Sequence, residues 1–526
     1  MSTNSDGQTV VEHQHPRQPR RVISRRALLG YAARGIAGVA ALSGAGVIGY
    51  TWPRSKSKAN QVIKTVLLPQ FHSRPDLDPM KAHITNIGPL DSSGLIFLTP
   101  SIVPAQRGVN EQLAVQSGLG QEGLMILDQT GELIWFEPLP HFPTNLRVQS
   151  YAGAPVLTYW RGDITGGTGK GVGVILDTSY REIAIINGDS AIGVDLHDFT
   201  LTANGTALIT AYANRTMDLR NFGGGKSDPV FDSMVQEIDV ASGRVIFEWH
   251  SLDHIDLAET HIPYRKGMPF DYFHVNSVSL DDENNLLVSA RNTWALYKIN
   301  RTSGNVVWRL GGKKSDFTMG PGTNFHWQHH ATRLAGTQIS LFDDGATPQE
   351  EPESRALILD VDEQNMVVSL VKSFTHPAKL LAPYEGSAQV LPNGHMFVGW
   401  GAEPYFSEFD ANGQMVLDGR FPTNDQSYRS FRMPWSAVPT TAPDIAVLAD
   451  SVGGSTVYAS WNGATGIRLW QVLAGPSASR MRPIVVIPKS HFETAITVHT
   501  KETYVAVAAL DESHTELGRS KTVKFV

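Results

Sequence analysis

The chain has 526 residues, no cysteine, and 44 Lys and Arg against 51 Asp and Glu, with 18% charged and 41% apolar residues. These figures exclude wholesale disorder, disulfide scaffolding and thiolate chemistry. Residues 1–59 hold nine basic and two acidic side chains, leaving 35 basic against 49 acidic in the remainder. A body so acidic has no electrostatic footprint for nucleic acid.

The basic start ends in "SRRALLG" at 24–30, and a glycine-rich apolar run follows from about 35 to 52. A twin-arginine pair ahead of a weakly hydrophobic core predicts a Tat-type export signal. It implies the Tat translocase as a partner and an extracytoplasmic destination. The run is just long enough to anchor the chain in a bilayer, while "SKA" before Asn60 has the shape of a cleavage site. Secreted and membrane-anchored forms both stay open.

From about residue 90 the sequence echoes itself. "MILDQTGELIWF", "VILDTSYREIAII", "EIDVASGRVIFEW", "KINRTSGNVVWRL", "LILDVDEQNMVVSL" and "EFDANGQMVLDGRF" each place apolar residues, an Asp or Asn and a turn before another apolar run. From Asp128 through Asp177, Asp239, Asn300 and Asp360 to Asp410 the spacings are 49, 62, 61, 60 and 50. A short acidic or amide side chain bends the backbone by bonding it, and glycine supplies the positive φ of a tight hairpin. A second strand–turn–strand element precedes most of these, as in "HDFTLTANGTALITAY" and "NSVSLDDENNLLVSAR". Two hairpins per repeat make a four-stranded sheet, and six such sheets predict an all-β, six-bladed β-propeller over 60–436. Seven short apolar runs after 436 predict a C-terminal fibronectin-III-like or immunoglobulin-like β-sandwich over 437–526.

Three lead-ins to the second element carry histidine: "DLHDFTL" (His197), "DYFHVNSVSL" (His274, with Asn276) and "WQHHATRL" (His329 and His330). The fourth, "YEGSAQVL", has none. Equivalent lead-ins of a propeller converge on one mouth, so these side chains are expected to meet, with Arg291 of "VSARNTW" in reach. Each histidine alone is compatible with plain packing. Together they could bind zinc, although a fixed cation beside a dication is electrostatically unfavourable. They could also hold a sulfuryl or phosphoryl group, with a free imidazole as nucleophile.

These stretches, with "ISLFDDGA" and "GSAQVLPNGHMFVGWG", resemble the arylsulfotransferase family over about 65–526, most closely its actinobacterial and fungal branch. The resemblance implies a propeller that moves a sulfuryl group from a phenolic sulfate ester to a phenol through a sulfohistidine. It implies no cofactor, and no "PKSGTTW"-type nucleotide loop occurs in the chain. By resemblance His329 is the nucleophile and His197 and His274 are its catalytic helpers. Arg291, Asn276 and His330 face the substrate. The branch motif often reads "QHDA", so His330 stands where an acid is usual; that leaves the nucleophile's activation unassigned and His330 a rival for the role. A non-catalytic extracytoplasmic propeller binding an aromatic or anionic ligand, and a metal-dependent hydrolase, are the alternatives.

Overall fold

The computed structural model describes residues 70–89, 94–102, 120–140, 142–188, 192–422, 425–449 and 454–524. The expected export segment, 1–59, lies outside them. The described chain is all-β; its helical content is four single 3-10 turns, such as Leu257–Glu259 and Arg291–Thr293.

Six sheets carry the repeat. Sheet 2 runs Thr144–Tyr151, Ala154–Thr165, Thr168–Leu176, Glu182–Ile186, each strand antiparallel to the last. Sheet 3 (Phe199–Leu201 to Val245–His250) and sheet 4 (Val275–Leu280 to Val306–Gly311) repeat this order. Sheets 5 (His329–Arg333 to Val367–Thr375) and 6 (Ser387–Val390 to Met415–Arg420) do so with one extra outer strand each. Sheet 1 differs: its first strand is Phe431–Met433, laid against Leu95–Leu98, Gly123–Leu127 and Leu133–Pro138. The end of the repeat region thus completes its own first sheet.

The near-continuous apolar runs of the inner strands follow from burial on both faces. In Leu286–Ala290, Leu286, Val288 and Ala290 pack with sheet 3, while Leu287 points the opposite way into a cluster shared with sheet 5. This is the two-residue alternation of a strand serving two cores. Every pair of successive sheets shares such a cluster, and the last, with Phe397, Phe406, Met125 and Leu98, joins sheet 6 to sheet 1. Each fully buried Leu or Phe adds about 1.5–3 kcal/mol, so the cycle is held by its inter-sheet cores.

The hairpin turns use the side chains expected of them. Asp128, Asp177, Asp239, Asn300 and Asp410 accept backbone N–H groups two or three residues on, at 2.8–2.9 Å for Thr130, Ser179, Ser242, Ser303 and Asn412. Asp360 is the exception. It lies within Arg355–Asp362, and Asp362 makes the turn instead, accepting from Gln364 and Asn365. "DVDEQN" offers two acids, and the strand continues through the first.

All seven C-terminal runs form strands, with Glu516–Arg519 in addition, in one sheet of three and one of five. They pack around Trp470, Val457, Val472 and Val507. Asn462 ties this part to sheet 1 by bonding Phe136 N–H and C=O at 2.9 and 2.8 Å.

Candidate functional site

His197, His274 and His329 stand at the entry to the first strands of sheets 3, 4 and 5, which are spatial neighbours. Arg291 follows the second strand of sheet 4. Its N–H donates to His274 C=O at 2.9 Å and Asn292 N–H donates to Phe273 C=O at 3.0 Å, so the 3-10 turn is pinned beside His274. All four side chains line one cavity of about 910 Å³. The His197 and His274 rings meet edge-on, centroids 4.7 Å apart and planes at 84°.

Each of the three imidazoles has a carboxylate at Nδ1: Asp195 for His197 (2.5 Å), Asp271 for His274 (2.5 Å) and Asp344 for His329 (2.8 Å). A carboxylate there selects the ring's orientation and tautomer and leaves Nε2 as the free nitrogen. At His329 Nε2 accepts the Glu385 N–H at 3.4 Å, a bond long enough to yield to a reacting group. Glu385 and Tyr384 come from the lead-in without a histidine, which nonetheless contributes to the cavity. The Arg291 guanidinium donates to Asn292 Oδ1 and Pro383 C=O, both at 3.1 Å, and lies 4.8 Å over the Trp327 ring.

Asn276 and His330 do not line the cavity. Asn276 is fully buried. Its Nδ2 donates to Gln328 C=O at 2.7 Å, and its backbone C=O accepts from Arg429 at 2.9 Å. His330 Nδ1 lies 3.2 Å from the Ala388 C=O and 3.3 Å from its N–H. Asn276 therefore braces the segment leading into His329, and His330 sits behind it. Among the described residues no three His, Asp or Glu side chains form a group able to hold a metal.

A model of the arylsulfotransferase (ASST) family matches residues 147–422. That is more than half of the chain, and it contains His197, His274, Arg291 and His329. The chain belongs to the arylsulfotransferase family. No curated protein matches it. Three solved structures share low similarity. A Bacteroides caccae protein of unknown function is 13% identical, covering 65% of this chain and 99% of its own, at TM-score 0.39. A catalytically inactive Staphylococcus aureus virginiamycin B lyase is 10% identical, with coverage of 73% and 97% at TM-score 0.32. A Lactobacillus plantarum protein is 12% identical, with coverage of 77% and 99% at TM-score 0.33.

Within this family member the electrostatics separate the histidines. Burial first, then the charge of Arg291 and of the other two site histidines, holds His329 well below the usual imidazole range. Burial also drives the Asp344 carboxyl well above the carboxylate range, opposed by Arg291. Burial opposes the charged form of each partner, and the Glu385 N–H directed at Nε2 places the proton of the neutral ring on Nδ1, facing Asp344. Nε2 of His329 holds a lone pair at neutral pH. His274 is also lowered, by burial and by His197 and Arg291, against the pull of Asp271. Asp195 is desolvated, yet His197 and the Gly169 N–H outweigh that and keep it below the carboxylate range. His330 is held well below the usual range by burial and by Arg429.

The three acids escaped the reading of the sequence although each stands in a quoted motif: Asp195 in "DLHD", Asp271 in "DYFH", Asp344 in "FDDG". A His with an acid two or three residues before it was the available signal for the first two. Asp344 had none, because it lies just past the end of the next strand, Gln338–Asp343.

Proposed function

We propose that this arylsulfotransferase family member is an exported, nucleotide-independent aryl sulfotransferase that works by a ping-pong route through a sulfohistidine. The observation that carries the reading is the set of three carboxylate-held imidazoles and one guanidinium around a single cavity. In the first half-reaction the Nε2 lone pair of His329 forms an N–S bond as the S–O bond to the aryl group breaks. That bond's electron pair goes to the phenolic oxygen, which takes a proton from the His197–His274 pair. Arg291 stabilises the sulfuryl oxygens, as fixed donors aimed at developing charge do. Asp344, facing the Nδ1 proton, offsets the positive charge arising on the ring. In the second half an acceptor phenol returns a proton to the His197–His274 pair, its oxygen bonds sulfur, and the N–S electrons return to Nε2.

The assignment of His329 over His330 rests on the cavity, which one lines and the other does not. Asn276 serves as a positioning residue in this scheme. We read the six sheets as the blades of a propeller over 60–436, because their cores close into a cycle, and the two C-terminal sheets as a β-sandwich over 437–526. The twin-arginine start supports Tat export, with the mature protein outside the cytoplasm as a secreted or anchored form. Incubation with p-nitrophenyl sulfate and phenol, without nucleotide, tests the activity. Acceptor-dependent nitrophenol release, lost in His329→Ala, is the expected result; full release by that variant contradicts the assignment.

A further inference from the structure

The proposed chemistry occupies only the floor of the cavity. His197, His329 and Tyr428 there are buried, whereas Arg265 and Met268, which complete the lining, are exposed, Met268 at 53%. They belong to the loop 261–269, which lines the cavity together with the Gly166–Gly167 hairpin tip. The loop is not free to wander. Tyr264 OH donates to Asp228 at 2.6 Å, and Phe270 bonds Pro229 and Phe231 through its backbone at 2.8 and 3.1 Å. This pinned stem carries Arg265 at the rim, and among the described residues no carboxylate pairs with it. In a chain of net charge −7 this guanidinium offers a positive group at the exposed side of the cavity. Ile164, Ile262, Phe270 and Pro348 give the lining apolar surface suited to aromatic rings, beside the polar Asp271, Asn292 and Glu385. The volume of about 910 Å³ lies at the upper end of the roughly 300–1,000 Å³ of small-molecule sites, so one phenol ring leaves most of it empty.

We infer that the preferred phenolic substrate is an extended, multi-ring aromatic with an anionic group remote from the reacting oxygen, and that Arg265 receives that group at the mouth. This rests on the sulfotransferase reading for which end of the substrate reacts. A guanidinium suits a carboxylate or sulfonate because its fork donates two parallel N–H bonds. Its exposed position makes the effect a matter of selectivity more than of binding strength.

The test uses a rigid two-ring phenol, hydroxybiphenyl carboxylic acid with the carboxylate on the far ring, against its neutral carboxamide. With p-nitrophenyl sulfate as donor, the wild-type protein should favour the carboxylate in kcat/KM by about threefold to tenfold. Arg265→Gln should remove the preference and Arg265→Glu reverse it. Equal kcat/KM for the two acceptors in the wild type, or a preference that survives Arg265→Glu, overturns the inference. Calorimetric titration of the same pair reads the same ratio without turnover. A protein that fails to sulfate any phenol but still binds the carboxylate preferentially through Arg265 would refute the catalytic reading and leave the anion site at Arg265 standing, with the substrate assignment overturned.

Discussion

At the scale of single residues, the decisive groups are the carboxylates behind the histidines. Asp344 is fully buried and touches His329 Nδ1 at 2.8 Å. Asp344→Asn keeps the shape but cannot take up the Nδ1 proton, so the proposed nucleophile loses the group that fixes its tautomer. We expect kcat to fall on the order of 10²–10⁴-fold, as when a triad's acid is replaced, with the KM for p-nitrophenyl sulfate little changed. Steady-state kinetics check this, and an unchanged kcat speaks against that role of Asp344. The pH profile is a second check. Because burial and Arg291 lower His329, its neutral form persists below the ordinary imidazole range of about 6.5. With p-nitrophenyl sulfate, whose leaving group needs no acid, kcat/KM should hold as pH falls through that value and drop only lower down. An acid limb centred at or above it contradicts the neutral-nucleophile account. The histidines and Arg291 were readable in the sequence because repeat position brought them into register. Asn276 and His330 shared that register, yet strand alternation and the fully buried floor turn them away from the cavity.

Among the elements, the hairpins were legible because their chemistry is local: a short acceptor side chain, a glycine and an apolar run suffice. The completion of sheet 1 was not, since Phe431–Met433 pairs with Leu95–Leu98 from the other end of the repeat region. No local pattern marks a three-residue strand whose partner is so distant. Phe431 is buried in the core between sheets 1 and 2, its ring 5.4 Å from that of His330. Phe431→Ala should cost about 3–5 kcal/mol and loosen the cycle where it closes. Denaturant titration should show the midpoint move while one cooperative transition is kept. A change within a few tenths of a kcal/mol would mean that the strand contributes little to closure.

For the molecule as a whole, closure brings one unusual group into the interior. Asp425 opens the strand Asp425–Ser427 that pairs with Pro100–Ile102, is fully buried, and among the described residues neither of its carboxylate oxygens has a hydrogen-bond partner. Burial, reinforced by Glu122, raises its carboxyl to about 7. A group raised on folding favours the native state below its unfolded value, near 3.9, and that benefit is lost as pH rises through about 7. Asp425→Asn should therefore raise the melting temperature progressively between pH 4 and pH 7.5. A gain that does not depend on pH contradicts the buried-acid account.

The central claim is that Nε2 of His329 becomes covalently sulfated within the ring of sheets. Mass spectrometry of the protein mixed with p-nitrophenyl sulfate alone, followed by fragmentation of the peptide containing both neighbouring histidines, tests it most directly. One added SO₃ on His329, discharged when phenol is supplied, is the expected result. An adduct confined to His330 or to another peptide, or sulfate transfer with no adduct at any time point, would contradict it.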